Sequence, residues 1–197
     1  MKTLSKPLAL ALGAALLSGC VSIGGDAEVP EQLLTLTASA SAPAGSSASG
    51  DMSTALAVNA PSVPQHLNVV RVPVRVSGSS IAYLQDAVWV EKPAALFQRV
   101  LSETIRAGGD RLVVGGGELE YAAQTQLGGE LLALDYDPAR SAVIIRYDAV
   151  LRLPDGSLRT QRFESEESGV LPEAYSVAPA LNRIANDVAA QVAEWVG

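Results

Sequence analysis

Apolar and polar positions alternate with two different periods along this chain. From Val69 to Val76 the period is two. Val70, Val72, Val74 and Val76 fall on one side, and Val69, Arg71, Pro73 and Arg75 on the other. That alternation predicts a half-buried strand, and Pro73, which has no N–H to donate, places it at an edge or a bulge. Ser141 to Leu153 alternates more cleanly still, with Val143, Ile145, Tyr147, Ala149, Leu151 and Leu153 opposed to Ile144, Arg146, Asp148, Val150 and Arg152. Leu127 to Tyr136 precedes it across Asp137–Arg140, and Leu158 to Glu166 returns after Pro154-Asp155-Gly156, a turn with favourable residues at each position. Shorter runs at Leu33–Thr37, Ala55–Val58, Ile81–Leu84, Ala87–Val90 and Leu112–Val114 read as further strands. Two stretches have helical spacing instead. Pro93 opens one, with Leu96, Phe97, Val100, Leu101, Thr104 and Ile105 as its stripe and Gly108-Gly109 as its stop. The other runs from Ser176, its expected N-cap, to Val196, with Pro179 in its first turn and Leu181, Ile184, Val188, Val192 and Trp195 as its stripe. Trp195 suits core packing, and also a partner's pocket. The pattern predicts an α+β fold, a mainly antiparallel sheet with two principal helices packed against it.

The first twenty residues have neither period. Lys2 and Lys6 precede ten unbroken Leu, Ala or Gly residues, Leu8 to Leu17, and Leu17-Ser18-Gly19-Cys20 follows. A basic start, a short apolar core and small residues describe a secretory signal peptide. Ten helical residues rise about 15 Å against roughly 30 Å of hydrocarbon, too little to span a bilayer. The Leu-Ser-Gly-Cys ending resembles a bacterial lipobox, which implies cleavage before Cys20 and lipidation of its thiol. Residues 1–19 are then the signal peptide and 20–31 the lipidated Cys and a tether, whose eleven residues after Cys20 span roughly 15–20 Å as a coil. Residues 32–197 form the domain, with 38–53, almost all Ala, Ser, Gly and Pro, expected to be a disordered loop.

Charge and composition narrow the function. The net charge is −7, and loss of Lys2 and Lys6 with the leader takes it to −9. An acidic body of this kind argues against nucleic acid and against a polybasic grip on lipid headgroups. Cys20 is the only cysteine, so no disulfide forms within the chain. His66 is the only histidine and lies between Pro-rich turns, where an exposed side chain is the expectation. No Gly-x-Ser-x-Gly elbow accompanies it. Asp135-x-Asp137 with Glu130 is the nearest approach to a metal cluster, and Glu166-Glu167 the nearest to paired carboxylates. Gly115-Gly116-Gly117 lacks the Lys-Ser/Thr of a phosphate loop and reads as a turn. The residues predict no enzyme, no catalytic residue, no metal and no cofactor.

The order of the short motifs resembles one family. Arg71-Val72-Pro73-Val74, Ile81-x-Tyr83-Leu84, Trp89, Leu96-Phe97-Gln98-x-x-Leu101 and Glu103-Thr104-Ile105 come first. Tyr147-Asp148-Ala149, Arg162-Phe163-Glu164 and Ala180-Leu181-Asn182-x-x-Ala185-Asn186 complete the set. With the lipobox ahead of them, they resemble the ABC-type transport auxiliary lipoproteins, the group that includes the PqiC-like proteins. The resemblance implies a non-enzymatic accessory subunit of an MCE-type system that moves phospholipid between two membranes. Its implied partners are an MCE-domain protein and an ABC permease and ATPase, with a homo-oligomer left open. Val21, where Asp would favour inner-membrane retention, points to the inner leaflet of the outer membrane, facing the periplasm. A general outer-membrane assembly lipoprotein and a periplasmic hydrolase are the alternatives.

Overall fold

The computed structural model describes residues 32–109, 111–115 and 122–197. The leader, Cys20, the 20–31 tether, and Gly116 and Gly117 of the glycine run lie outside them. One sheet contains seven strands: β1 (Leu56–Val58), β2 (Arg71–Ser77), β3 (Ser80–Val88), β4 (Val113–Val114), β5 (Thr125–Asp137), β6 (Ala142–Arg152) and β7 (Leu158–Ser168). Two helices, α1 (Pro93–Ala107) and α2 (Ala174–Val196), pack on each other and against the sheet.

β5 is the hub. Along one edge it pairs over its length with β6, which pairs in turn with β7. Its other edge is shared: β1 takes the start, at Leu56↔Thr125 to Val58↔Leu127, and β2 takes the end, at Val74↔Tyr136. Between them Ser62 bridges to Glu130. A bulge at Leu132 shifts the β5–β6 register between Leu131 and Ala133, and with it the parity of the buried side. Leu127 and Leu131 face the core before it, and Leu134 and Tyr136 after it, so one strand stays in register with the unbroken row Val143, Ile145, Tyr147, Ala149 and Leu151 of β6. Gly129 sits at φ +135°, and a Cβ there would stand 2.0 Å from the Asp148 carbonyl oxygen. No side chain fits that approach.

The expected mainly antiparallel sheet is not what forms. The β1–β4, β1–β5 and β2–β5 pairings are parallel, as are the two isolated bridges, while β2–β3, β5–β6 and β6–β7 are antiparallel. The sheet is mixed. Alternation reports which face a residue takes and not which way the neighbouring strand runs, and strands of two or three residues are too short to show either. The α+β class stands.

The helices cover one face. Phe97 of α1 meets Tyr147 edge-on with ring centroids 5.3 Å apart, and Trp195 of α2 meets Phe163 of β7 in the same way at 5.7 Å. Leu96, Phe97, Leu101, Leu181, Ile184 and Val188 are almost wholly buried between them. Pro93 begins α1. α2 begins two residues before Ser176, with Glu173 at the N-cap and no side-chain cap bond, so Pro179 lies inside the helix. There it cannot bond the Tyr175 carbonyl, but Tyr175 is exposed, where water can reach that group. The two short runs expected at Ile81–Leu84 and Ala87–Val90 are largely one strand, β3, with Asp86 at φ +54° where its register with β2 breaks. The run at Leu33–Thr37 contributes only the bridge from Leu34 to Trp89.

Candidate functional site

The chain enters the described domain as an arm laid over the helices. Leu34 N–H donates to the Val88 carbonyl, Val90 N–H donates to the Leu34 carbonyl, and Leu36 is buried in the core. Beyond Leu36 no strand is available to the arm, and two asparagines of α2 take that role. Asn182 Oδ1 accepts Thr37 N–H at 2.7 Å. Asn186 Nδ2 donates to the Thr37 carbonyl at 2.9 Å, while its Oδ1 accepts Ser39 N–H at 2.7 Å. A single carboxamide thus satisfies a C=O and an N–H two residues apart, the pair that a neighbouring strand's peptide group would satisfy. Asn186 is buried and its Nδ2 also donates to the Asn182 carbonyl. Further on, Glu103 of α1 accepts Ala42 N–H at 3.0 Å and binds Arg106 with its other oxygen. Residues 43–50 are exposed. The 38–53 segment has almost no regular structure, but its first residues are held. Composition hid this because the holding groups lie some 145 residues away and grip backbone, not side chains.

The other face of the sheet carries ion pairs. Arg162 of β7 grips Asp148 of β6 through two bonds of 2.6 Å, and Arg146 pairs with Glu164 at 2.5 Å. Arg140 pairs with Glu166, and Arg75 of β2 reaches Asp135 of β5 at 2.5 Å. The arginines hold the Asp148 and Glu164 carboxyls below their ordinary range. Asp135 moves the other way, because its burial outweighs the pull of Arg75. Positive and negative groups are matched across the strands, so this face presents no single sign of charge. The sheet's edges differ from each other. β7 is studded with Arg159, Arg162, Glu164, Glu166 and Glu167, whereas β3 has no charged residue from Ser80 to Gln85 and exposes Ile81, with Val76 exposed beside it on β2. Charge on an edge blocks the addition of another strand; β3 is not blocked in that way.

The candidate residues are not brought together. His66 is part-buried in a short 3-10 turn, not exposed, and its Nε2 has no partner among the described residues. The Pro64–Leu67 turn folds inward because Leu67 is fully buried. Glu166 and Glu167 point to opposite faces and take separate partners, Arg140 and Arg183. Asp137 caps its own turn by accepting Ala139 N–H, Glu130 is exposed, and no group of metal-ligating side chains occurs among the described residues. Trp195 is part-buried, stacked under the Arg159 guanidinium at 5.0 Å as well as against Phe163. Cys20, the expected lipidation site, lies outside the described residues. Asn182 and Asn186 were legible as motif residues but not as a grip. The available signal is an amide placed beside the buried stripe of an amphipathic helix.

A family model described as the ABC-type transport auxiliary lipoprotein component matches residues 34–193. No curated protein matches the sequence. Among solved structures, a crystal structure of a protein from Xanthomonas campestris is similar with a TM-score of 0.65 and 16% identity, over 84% of this chain and 94% of that one. A second crystal structure, of an uncharacterized protein, is similar with a TM-score of 0.65 and 14% identity, over 84% of this chain and all of that one. At these identities the likeness shows a shared fold.

Proposed function

Because the chain belongs to the ABC-type transport auxiliary lipoprotein family, we propose that it is the membrane-anchored, periplasmic accessory subunit of an MCE-type ABC transport system that moves phospholipid between the inner and outer membranes. The family match over nearly the whole domain is the observation that carries this reading. The Leu17-Ser18-Gly19-Cys20 ending supplies the anchor, and Val21 favours the inner leaflet of the outer membrane. Its role is non-enzymatic: it docks the transporter and performs no chemistry on the cargo. The acidic body and the matched ion pairs of the open face suit a protein partner better than anionic headgroups. The Ser80–Gln85 stretch of β3, which has no charged residue, and the Val76 and Ile81 side chains of the β2–β3 hairpin are the surface offered to an MCE-domain protein. There, main-chain pairing supplies affinity and the flanking apolar groups supply selectivity.

Tethering raises the effective concentration of the domain at its partner, so a modest interface suffices. Several acyl chains at about 0.8 kcal/mol per buried methylene hold it stably, where one chain would be marginal. The anchor is tested by the intact mass of the protein purified from membranes, together with fractionation of Cys20→Ser. The expected results are an acylated Cys20 at the mature N-terminus and release of the variant into the soluble fraction. An unmodified Cys20 in the wild-type protein contradicts the anchor.

A further inference from the structure

Exposed apolar side chains gather where the chain enters the domain. Trp89 N–H donates to the Val70 carbonyl and Val90 N–H to the Leu34 carbonyl, so the end of β3 lies between the start of β2 and the arm. On these three adjoining segments Val70 is 40%, Val90 52% and Leu33 50% exposed. The arm is fixed here: Leu34 is held by two main-chain bonds and Leu36 is buried, which sets the place of Leu33. We propose that Leu33, Val70 and Val90, flanked by Arg71 and Lys92, form a patch seated in the headgroup region of the membrane that holds the lipid anchor. The proposal depends on the anchor reading above.

The occupant follows from where the tether ends. Cys20 to Leu33 is thirteen residues, which extend at most about 45 Å and span about 20 Å as a coil. A bilayer holding Cys20 therefore meets this patch at a high effective concentration. The charges agree. Lys92 is the only lysine after Lys6. It and Arg71 are exposed, and neither enters an ion pair among the described residues. Of the acids in this stretch, Glu91 is taken by Arg99, which leaves the exposed Asp86 against the two cations. In an otherwise acidic body, this corner carries the opposite balance. Two cations fall short of a polybasic grip, so removal of the three apolar side chains from water is the main attraction. Apolar groups beside cations make up the contact surface of proteins that lie on a bilayer without crossing it. The geometry also suits a docking role. β2 runs seven residues, about 20 Å, from this patch toward the hairpin tip. With the patch on the bilayer, the Val76 and Ile81 end stands off it, where a partner can reach it.

The test couples the mature chain at Cys20 to a maleimide phospholipid in nanodiscs of phosphatidylethanolamine and phosphatidylglycerol that also carry a nitroxide-headgroup lipid. Paramagnetic broadening is read on the Leu and Val methyl signals. Leu158 and Leu171 are more exposed than the patch residues and flank β7, so they report chance contact. Leu33, Val70 and Val90 are expected to broaden at least about threefold more than these two, because an interfacial patch lies within the headgroup layer. Leu33→Ser, Val70→Ser and Val90→Ser together change side chains that are already exposed. They are expected to remove the difference while the other methyl signals keep their positions. Lys92→Glu is expected to reduce it, and more strongly as phosphatidylglycerol is raised. Equal broadening of all exposed methyls, or a pattern unchanged in the Ser variant, overturns the proposal. Strongest broadening on another face also overturns it and leaves the patch to a protein partner. Patch signals that broaden with rising chain concentration in the absence of lipid overturn it in favour of a second copy. Because Cys20 is coupled chemically here, failure of the cellular anchor would show only as an unmodified Cys20 in the cellular protein, with this readout intact.

Discussion

Asp135 is a buried carboxylate whose protonation is coupled to folding. Its side chain is fully buried, and Arg75, its partner at 2.5 Å, is over a third exposed. Burial raises the Asp135 pKa above its ordinary value, so the native state holds that proton more tightly than the unfolded chain. Stability contributed by this group is therefore present at low pH and lost as pH rises through the raised value. Asp148, Glu164 and Glu167 behave in the opposite sense. Their arginines lower the carboxyl pKa, so their contribution is present above about pH 4 and lost as pH falls. These three are exposed pairs of the kind that contribute about 0–1 kcal/mol each. Asp135→Asn removes the buried charge and leaves an arginine that water can reach. Its urea midpoint relative to wild type is expected to rise as the pH is taken upward from about 4, the ordinary carboxylate range. A difference that stays constant as the pH rises contradicts the burial of an ionisable Asp135. Nothing in the local sequence signalled this burial. Asp135 lies on the side of β5 opposite the core row, and it is buried because the Leu132 bulge and the β2 crossover place Arg75 over it.

At the scale of elements, the parts that follow one period throughout were legible. α1 occupies Pro93–Ala107, as its proline and its apolar stripe predict, and β6 buries the alternate residues from Val143 to Leu151. Leu101 and Ile184 lie at the centre of the two helical stripes with almost no exposure. Leu101→Ala and Ile184→Ala are each expected to cost about 2–5 kcal/mol, read as lowered denaturation midpoints. Unchanged midpoints in both would contradict the packing described. Elements that depend on distant partners were not legible. The direction of β1 and β4 is set by where β5 lies. The start of α2 moved to Ala174, and the Thr37–Ser39 backbone is ordered by amides on another element. The Ser/Ala composition of the loop described the segment's own inability to form a core, and that much is consistent with residues 43–50 being exposed.

At the scale of the whole molecule, the described residues form a mixed sheet with one face covered by α1 and α2 and the other lined by matched ion pairs, entered through the arm at Leu34. Among the described residues, His66 and the Asp135, Glu166 and Glu167 carboxylates stand apart from one another, and the family is one of auxiliary transport components. The central claim is that this domain works by holding a transporter. It is tested most directly by mild cross-linking of intact cells, affinity purification of the protein from their membranes, and identification of what comes with it. The account predicts an MCE-domain protein with its ABC permease and ATPase, recovered with the wild type and depleted with Cys20→Ser. Recovery of outer-membrane β-barrel proteins and no transporter component would contradict it.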